Sequence, residues 1–299
     1  MSHHGHGLVE DLPRLQALIE RRRALRWFAG AGTAALVAGC GGGGSDGSTG
    51  VTVVSGTSAA TTATPTPSPT PTPTATTSSS ACLVDPTETA GPYPADGTNN
   101  APGATSNVLA VNGVVRSDIR ASFVNSTAVA AGVKLTLTLR VVDVNQACAP
   151  LAGYAVYLWH ADRLGDYSLY GSAASESYLR GVQVTNADGE VTFTTIYPAC
   201  YDGRYPHMHF EVFSSLANAI GGRYAILTSQ LALPATASAA VYADAATYPG
   251  SAARAARVTI AGDGIFGDNT AAQVAQQTPV LTGDPTNGYV GSALIGVAR

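Results

Sequence analysis

Lys134-Leu-Thr-Leu-Thr-Leu-Arg-Val-Val142 is the stretch of sequence that decides the fold class. Its apolar residues Leu135, Leu137, Leu139 and Val141 recur at every second position, with polar residues between most of them. Successive side chains of a β-strand point to opposite faces, so this alternation predicts a strand with one buried and one exposed face.

Other short segments of the last two thirds of the chain are rich in β-branched and aromatic residues and predict further strands. Only Ala235 to Ala246, which is rich in alanine, favours a short helix. The pattern therefore predicts an all-β chain: a two-sheet β-sandwich with irregular loops and at most short helices. The further strands are predicted at Ala155 to Trp159, Val191 to Ile196, His207 to Phe213 and Tyr224 to Leu231.

Residues 1–40 have the features of an export signal. The apolar run Trp27 to Ala38 follows several arginines and is too short to cross a bilayer, which takes about 20 residues. Arg22-Arg-Ala-Leu-Arg26 resembles a twin-arginine signal, and Val37-Ala-Gly-Cys40 resembles a lipoprotein cleavage box with Cys40 as the lipidated residue. A plain signal peptide with a chance cysteine is the alternative.

Residues 41–80 contain mainly Gly, Ser, Thr and Pro, including a Thr-Pro repeat from Thr64 to Thr74. With so few bulky apolar side chains, burial cannot offset the entropy of ordering, and we expect a disordered linker. The folded domain is predicted at residues 81–299. Together these features predict an exported protein of the cell envelope, either lipid-anchored or periplasmic or extracellular.

The 299-residue chain has a formal net charge of -4, and only 12% of its residues are charged. The folded region shows no basic patch, which argues against nucleic acid as a partner. Nothing in the composition decides whether the chain forms a homo-oligomer. An oxidising compartment permits a disulfide, and we predict one between Cys82 and Cys148, with Cys200 left free.

His207-Met-His209 is the strongest local signal of chemistry, because residues i and i+2 of a strand address the same point. No third histidine or C-x-x-C motif lies near the pair, whereas several tyrosines precede it: Tyr167, Tyr170, Tyr197, Tyr201 and Tyr205. Two phenolates, one hydroxide and two neutral imidazoles would balance the charge of Fe3+. Residue chemistry alone leaves open which tyrosines take part.

Several ordered motifs resemble those of the intradiol ring-cleavage dioxygenases, over roughly residues 82 to 266. The motifs include Leu158-Trp-His-Ala-Asp-Arg-Leu-Gly-Asp-Tyr-Ser168, the run from Leu179 to Pro198, Tyr201-Asp-Gly-Arg-Tyr-Pro-His-Met-His209, Thr89-Ala-Gly-Pro-Tyr93, Asp118-Ile-Arg120 and Thr228-Ser-Gln-Leu231. One departure is Ala199-Cys200, where the family often has Gly-Trp or a similar pair, and it leaves the choice of substrate open.

The resemblance implies a non-haem Fe(III) cofactor with four protein ligands: Tyr167, Tyr201, His207 and His209. Tyr201 would be the axial ligand that leaves when substrate chelates, and His209 would be axial opposite it. Tyr167 and His207 would be equatorial.

By the same resemblance, Arg204 would face the substrate ring and stabilise negative charge, as a permanently charged guanidinium can. Gly91 and Pro92 would contact substrate, or would simply form a tight turn. Trp159 would pack against or orient a neighbour, and Asp162 would accept a hydrogen bond behind the site or cap a turn.

The implied reaction is intradiol cleavage of a catechol-type ring with incorporation of O2, which gives a muconate-type dicarboxylic acid. Two other functions stay as alternatives. One is a surface β-sandwich that binds a ligand without chemistry, and the other is a zinc hydrolase built on His207 and His209.

Overall fold

The computed structural model of the chain describes residues 82–99, 106–221 and 224–299. The predicted export signal at residues 1–40, the linker at 41–80 and the lipidation of Cys40 lie outside the described residues. Of the helices found within the described ranges, none has both the length and the hydrophobicity that a membrane crossing requires.

The first sheet is built around strand β1, which pairs with a neighbour along each of its edges. Along one edge it is antiparallel to β5 and then to β2, and along the other it is parallel to β9, which in turn pairs with β8. The strands are β1 (Lys134–Asp143), β2 (Ala149–Pro150), β5 (Glu190–Ile196), β8 (Val280–Asp284) and β9 (Gly288–Val297).

The second sheet is antiparallel throughout and has the order β4-β3-β6-β7. The described residues thus form two sheets with few and short helices, which confirms the predicted fold class. Its strands are β3 (Ala155–Trp159), β4 (Arg180–Val184), β6 (His207–Phe213) and β7 (Leu227–Ala232).

The main core lies between the two sheets. Leu137 of β1 and Phe193 of β5 contribute from the first sheet, and Leu158 of β3 and Phe210 of β6 contribute from the second. A second apolar cluster, which includes Trp159, covers the other face of the second sheet. Strand β6 is therefore buried on both faces, and its residues that point away from the main core are enclosed by irregular segments.

Four short α-helices complete the described part of the chain, and one of them corrects a prediction. The helix predicted at 235–246 ends at Tyr242, and the strand predicted at 224–231 forms as β7 three residues later, where pairing with Val212 begins. The sequence predicts no strand at β4, β8 or β9, because apolar and polar residues do not alternate clearly there. The helices are α1 (Leu216–Ile220), α2 (Ala235–Tyr242), α3 (Ser251–Ala255) and α4 (Ala271–Gln277).

A disulfide joins Cys82 to Cys148, with their Cα atoms 5.9 Å apart, and Cys200 is a free, buried thiol. The disulfide fixes the beginning of the described chain to the turn that follows β1. Three residues on, Asp85 accepts hydrogen bonds from the backbone of Gly296 in β9 and from the side chain of Gln276 in α4. The segment that leads to Gly91 is thus anchored on the first sheet before it crosses to the second.

Candidate active site

Strand β6 places His207 and His209 on the face of the second sheet that points away from the main core. The pleat explains this, since Met208 and Phe210 occupy the alternate positions and lie fully buried between the sheets. The two imidazoles are nearly buried as well, at 3% exposure each. They lie under the segments that carry Tyr167 and Tyr201.

Four side-chain atoms converge at one point. Tyr201 Oη lies 2.9 Å from His207 Nε2, which is 3.1 Å from His209 Nε2. Tyr167 Oη lies 3.3 Å from Tyr201 Oη, 3.4 Å from His207 Nε2 and 3.1 Å from His209 Nε2. Such distances are typical of donor atoms that each lie about 2 Å from a common metal ion.

The tautomer of His207 follows from its backbone partner. His207 Nδ1 lies 2.6 Å from the carbonyl oxygen of Tyr205, which can only accept a hydrogen bond. The proton of the neutral ring therefore sits on Nδ1, and Nε2 presents a lone pair to the point of convergence. This arrangement is common for histidines that bind a metal.

His209 is held by packing rather than by a hydrogen bond. Its ring stacks on Trp159 of the adjacent strand, with 5.0 Å between centroids and 11° between planes. Its Nδ1 atom is buried and has no hydrogen-bond partner among the described residues. Gly91 has a φ of +72°, and a Cβ there would lie 3.3 Å from His209 Cε1, so this close approach favours glycine.

Tyr167 follows a turn that Asp162 stabilises. Asp162 Oδ1 accepts hydrogen bonds from the backbone of Leu164 and Asp166, and its Oδ2 accepts one from Tyr178. Asp162 therefore caps the turn, one of its two predicted roles. Tyr167 itself is 4% exposed, whereas Tyr201 is half-buried and is the most accessible of the four donor residues.

Burial controls the protonation of all four groups. It raises the pKa of Tyr167 well above its ordinary value, with Tyr201 adding to the effect, and it raises the pKa of Tyr201 despite the opposing charge of Arg204. Burial, followed by neighbouring positive charge, lowers the pKa of His207 and His209 well below the usual range. The imidazoles are thus neutral, as metal ligands must be, while a phenolate form of the tyrosines requires a nearby cation.

The donor set fits a trivalent metal and does not fit the common zinc sites. Among residues 82–99, 106–221 and 224–299, no cluster of three or more His, Cys, Asp or Glu side chains could hold an ion. The side-chain donors nearest to both histidines are instead the phenol oxygens of Tyr167 and Tyr201. Two phenolates and two neutral imidazoles supply two negative charges, so one hydroxide would complete the balance for a trivalent cation. Phenolate oxygen is a hard donor that suits such a cation and is not among the usual zinc ligands.

The guanidinium of Arg204 lies beside the point where the four donor atoms converge. Its Nη1 lies 3.4 Å from His207 Nε2, its Nε donates to Asp263 Oδ2 at 3.0 Å, and its Nη2 donates to Gln230 Oε1 at 2.6 Å. Asp263 is buried and also accepts a hydrogen bond from the backbone N–H of Tyr205. Burial alone would lower the pKa of Arg204, but Asp263 and the two phenols outweigh it and raise this pKa. The guanidinium is thus a fixed charge.

The segment from Thr89 to Pro94, which we name the Gly91 segment, borders the donor atoms. Gln230 Nε2 donates to the carbonyl oxygen of Thr89, and the ring of Tyr93 packs on Tyr167 with 5.1 Å between centroids. Pro92 follows Gly91 directly, so the structure brings both predicted substrate-contact residues to the edge of the site.

Sequence reasoning missed three residues of this site: Asp263, Gln230 and Arg180. Gln230 and Arg180 lie within the quoted motifs, at Thr228-Ser-Gln-Leu231 and in the run that begins at Leu179, but residue type alone suggested no role for them. Asp263 lies 59 residues from Arg204, in a turn whose sequence carries no signal of function.

Comparison with known proteins agrees with this geometry. Residues 112–221 match the family described as Dioxygenase, a range that contains all four donor residues and Arg204. The structure is similar to that of an intradiol ring-cleavage dioxygenase from Tetranychus urticae, with 26% identity, a TM-score of 0.52, and coverage of 73% of this chain and 95% of that one. A second crystal structure of a dioxygenase matches at 25% identity with a TM-score of 0.53, covering 73% and 95% of the two chains.

A catechol 1,2-dioxygenase from Pseudomonas arvilla C-1 is also similar, at 21% identity and a TM-score of 0.43, over 71% of this chain and 62% of that one. That similarity is too low to support an argument about function. The family match and the first two structures are all to dioxygenases. Residues 112–221 thus resemble the Dioxygenase family, and the fold resembles that of an intradiol ring-cleavage dioxygenase.

Proposed function

We propose that the protein uses a non-haem iron(III) ion to cleave a catechol-type ring between its two hydroxyl-bearing carbons, with incorporation of both atoms of O2. The observation that carries this proposal is the convergence of Tyr167, Tyr201, His207 and His209, whose donor atoms lie 2.9 to 3.4 Å apart in the five pairs described above. These four residues would hold the ion. Bound iron(III) would supply the Lewis acidity that keeps both phenols and the catechol ionised and makes the ring reactive toward O2.

Tyr201 is the residue best placed to take a proton from the substrate. It is the most accessible of the four, and its Oη faces the lone pair of His207 Nε2 at 2.9 Å. A catechol hydroxyl that approaches from the open side would reach Tyr201 first. We assign Tyr201 Oη as an acceptor of one catechol proton.

Arg204 would stabilise the charge that develops on the ring during the reaction. Because Asp263 and Gln230 hold its Nε and Nη2 atoms, the guanidinium cannot turn away from the site and needs no reorganisation when charge appears. Gly91 and Pro92 would form the opposite wall of the substrate pocket, and the absence of a side chain at Gly91 lets this wall approach His209 closely.

The cell-envelope location is part of the proposal. The export-like sequence of residues 1–40 supports it, and so does the disulfide between Cys82 and Cys148, since disulfides persist mainly in oxidising compartments. We propose that the enzyme acts outside the cytoplasm, lipid-anchored at Cys40 or free in the periplasm or outside the cell. Fractionation of the native host, with activity wholly in the cytosol, would contradict this.

The test of the proposed function combines colour, metal content and product. Protein expressed with iron should be burgundy from phenolate-to-iron(III) charge transfer, and with catechol and 18O2 it should yield a muconate-type diacid that carries two labelled oxygens. Tyr167→Phe and Tyr201→Phe should each change the visible band. Tyr197→Phe is the matched control, because Tyr197 Oη bonds to Ser238 Oγ within the main core, and it should leave the band unchanged.

Colourless, iron-free protein would refute the proposal and would favour the alternative of a β-sandwich that binds a ligand without chemistry. Zinc at one equivalent, with hydrolysis of an ester or amide, would favour the hydrolase alternative.

A further inference from the structure

Arg180, at the beginning of β4, is a buried arginine for which the proposed reaction has no direct use. It is 1% exposed, and all five of its N–H groups donate to neutral oxygen atoms. Burying a guanidinium is costly unless its hydrogen bonds are satisfied, and here they are fully used. The positions of its acceptors show what the residue holds together.

Two of the acceptors belong to the residue that follows Tyr167. Arg180 Nε donates to Ser168 Oγ at 2.9 Å, and Nη2 donates to the carbonyl oxygen of Ser168 at 2.8 Å. Because these bonds fix both the backbone and the side chain of Ser168, they also fix the direction in which the adjacent Tyr167 ring leaves the chain.

Two further acceptors belong to the Gly91 segment. Arg180 Nη2 donates to the carbonyl oxygen of Tyr93 and Nη1 to that of Pro94, both at 2.8 Å. The fifth acceptor, Tyr157 Oη, bonds to the same Pro94 carbonyl oxygen at 2.8 Å and accepts from Arg180 Nη1 at 2.9 Å. Arg180 thus bridges the proposed substrate wall and the segment of a proposed iron ligand.

The opposite end of the Gly91 segment is held separately, by Gln230 at the carbonyl oxygen of Thr89. With both ends fixed, Gly91 can lie against His209 and Tyr93 can pack on Tyr167. Loss of the Arg180 bonds would leave the end that touches Tyr167 with fewer hydrogen bonds, among them that of Tyr157 at Pro94, while the Thr89 end would stay in place.

We propose that Arg180 is a positioning residue, which sets the distance between the substrate wall at Gly91–Pro92 and the Tyr167 phenol through its planar set of five hydrogen bonds. This inference rests on the proposed function, in which Tyr167 binds iron and Gly91–Pro92 contacts the catechol. A displacement of about 1 Å can lower the rate of a positioned reaction about a hundredfold. The planar geometry matters as much as the charge, so lysine cannot replace arginine here.

The experiment compares Arg180→Lys with Arg116→Lys in the full-length, iron-loaded protein. Arg116 is the matched control because it also donates to several backbone carbonyl oxygens, those of Ile119, Ala121, Ser177 and Arg180, while its side chain contacts neither Tyr167 nor the Gly91 segment. For each variant we would measure KM and kcat with catechol, the maximum of the visible band, the rate of iron loss to a chelator, and the melting temperature of the metal-free protein.

We expect Arg180→Lys to raise KM, to lower kcat/KM about a hundredfold, to shift the visible band and to speed iron loss. Arg116→Lys should lower the melting temperature and leave the band and KM as in the wild type. If Arg180→Lys does not fold, Ser168→Ala should shift the band and raise KM in the same direction by a smaller amount. This variant removes the acceptor of Nε and the hydrogen bond from Ser168 Oγ to the Tyr178 carbonyl oxygen, and it keeps the other four Arg180 bonds.

An Arg180 variant with an unshifted band and unchanged KM would overturn the inference, as would equal effects of the two arginine variants. Both results require that the wild type is coloured and active. A colourless, inactive wild type would instead overturn the proposed function, and the role of Arg180 with it.

Discussion

Strands β1 and β6 both lie inside their sheets, yet they bury their residues in different ways. In β1 the buried leucines alternate with exposed or half-buried polar residues, so one face packs in the core and the other meets solvent. In β6 all seven residues are buried, and the face that points away from the main core carries His207, His209 and Glu211. A strand can bury a polar face only where other groups satisfy it, because unpaired polar groups are costly.

The different burial of β1 and β6 indicates that the first strand stabilises the fold and the second forms the candidate site. The alternation of β1 serves folding, whereas the buried polar face of β6 has a cost in stability that the fold itself does not explain. Substitutions in β6 should therefore affect chemistry more than folding, and substitutions in β1 should do the opposite.

The largest effect is expected for His209→Leu. Loss of this proposed iron ligand should remove most bound iron and colour and lower turnover roughly a thousandfold or more, since the Lewis acid supplies several kcal/mol of stabilisation. The metal-free variant should melt no lower than the metal-free wild type, because leucine ends the burial of an unpaired Nδ1. Iron analysis and calorimetry provide the check. A variant that keeps its colour and its activity would show that His209 is not a ligand.

Asp263→Asn should have the next largest effect. It replaces the charged acceptor of Arg204 Nε, and a hydrogen bond to a charged group contributes about 1.5–3 kcal/mol, so kcat should fall roughly tenfold to hundredfold. The visible band should stay, because no donor atom changes. Asp118→Asn, which breaks an exposed ion pair with Arg120, is the control and should leave kcat unaltered. Equal losses in the two variants would argue against a role of Asp263 in holding Arg204.

The same contrast shows what the sequence could reveal. The pattern of β1 predicts its strand and the sandwich, because alternation is a local property of nine successive residues. The His207–His209 pair is visible for the same reason. Arg180 and Asp263 could not be assigned roles, because their function depends on partners up to 87 residues away that only the folded chain brings together.

In β1, Leu137→Ala should lower the free energy of unfolding without changing the geometry of the candidate site. Leu137 is fully buried in the main core, and such truncations cost about 2–5 kcal/mol in the free energy of unfolding. The maximum of the visible band should not move in the fraction that stays folded. Denaturant titration and absorbance measure the two quantities. A shifted band would mean that packing between the sheets sets the geometry of the site.

Asp85 gives the first sheet a pH dependence. Burial raises its pKa to about 7, against 3.8 in the ordinary state, despite hydrogen bonds from Gly296 and Gln276 that act in the opposite direction. Between pH 3.8 and about 7, Asp85 holds its proton in the folded protein more often than in the unfolded chain. The contribution of Asp85 to the free energy of unfolding is therefore greatest at low pH and falls as pH rises toward 7. Asp85→Asn cannot ionise and should remove this loss, which is at most about 4 kcal/mol. Melting temperatures of both proteins from pH 4 to 9 would show the effect, and parallel curves would contradict it.

The smallest effect is expected on the exposed face of β1. Thr138 and Thr192 of the neighbouring β5 share a hydrogen bond of 2.9 Å between their hydroxyl groups, in contact with solvent. A cross-strand pair of this kind contributes less than about 1 kcal/mol, so Thr138→Ala should lower stability only slightly and leave iron content and turnover unchanged. The measurement is a denaturant titration at two protein concentrations. A loss above about 2 kcal/mol that grows on dilution would mean that a second copy of the chain covers this face, and β1 would then be buried on both sides as β6 is.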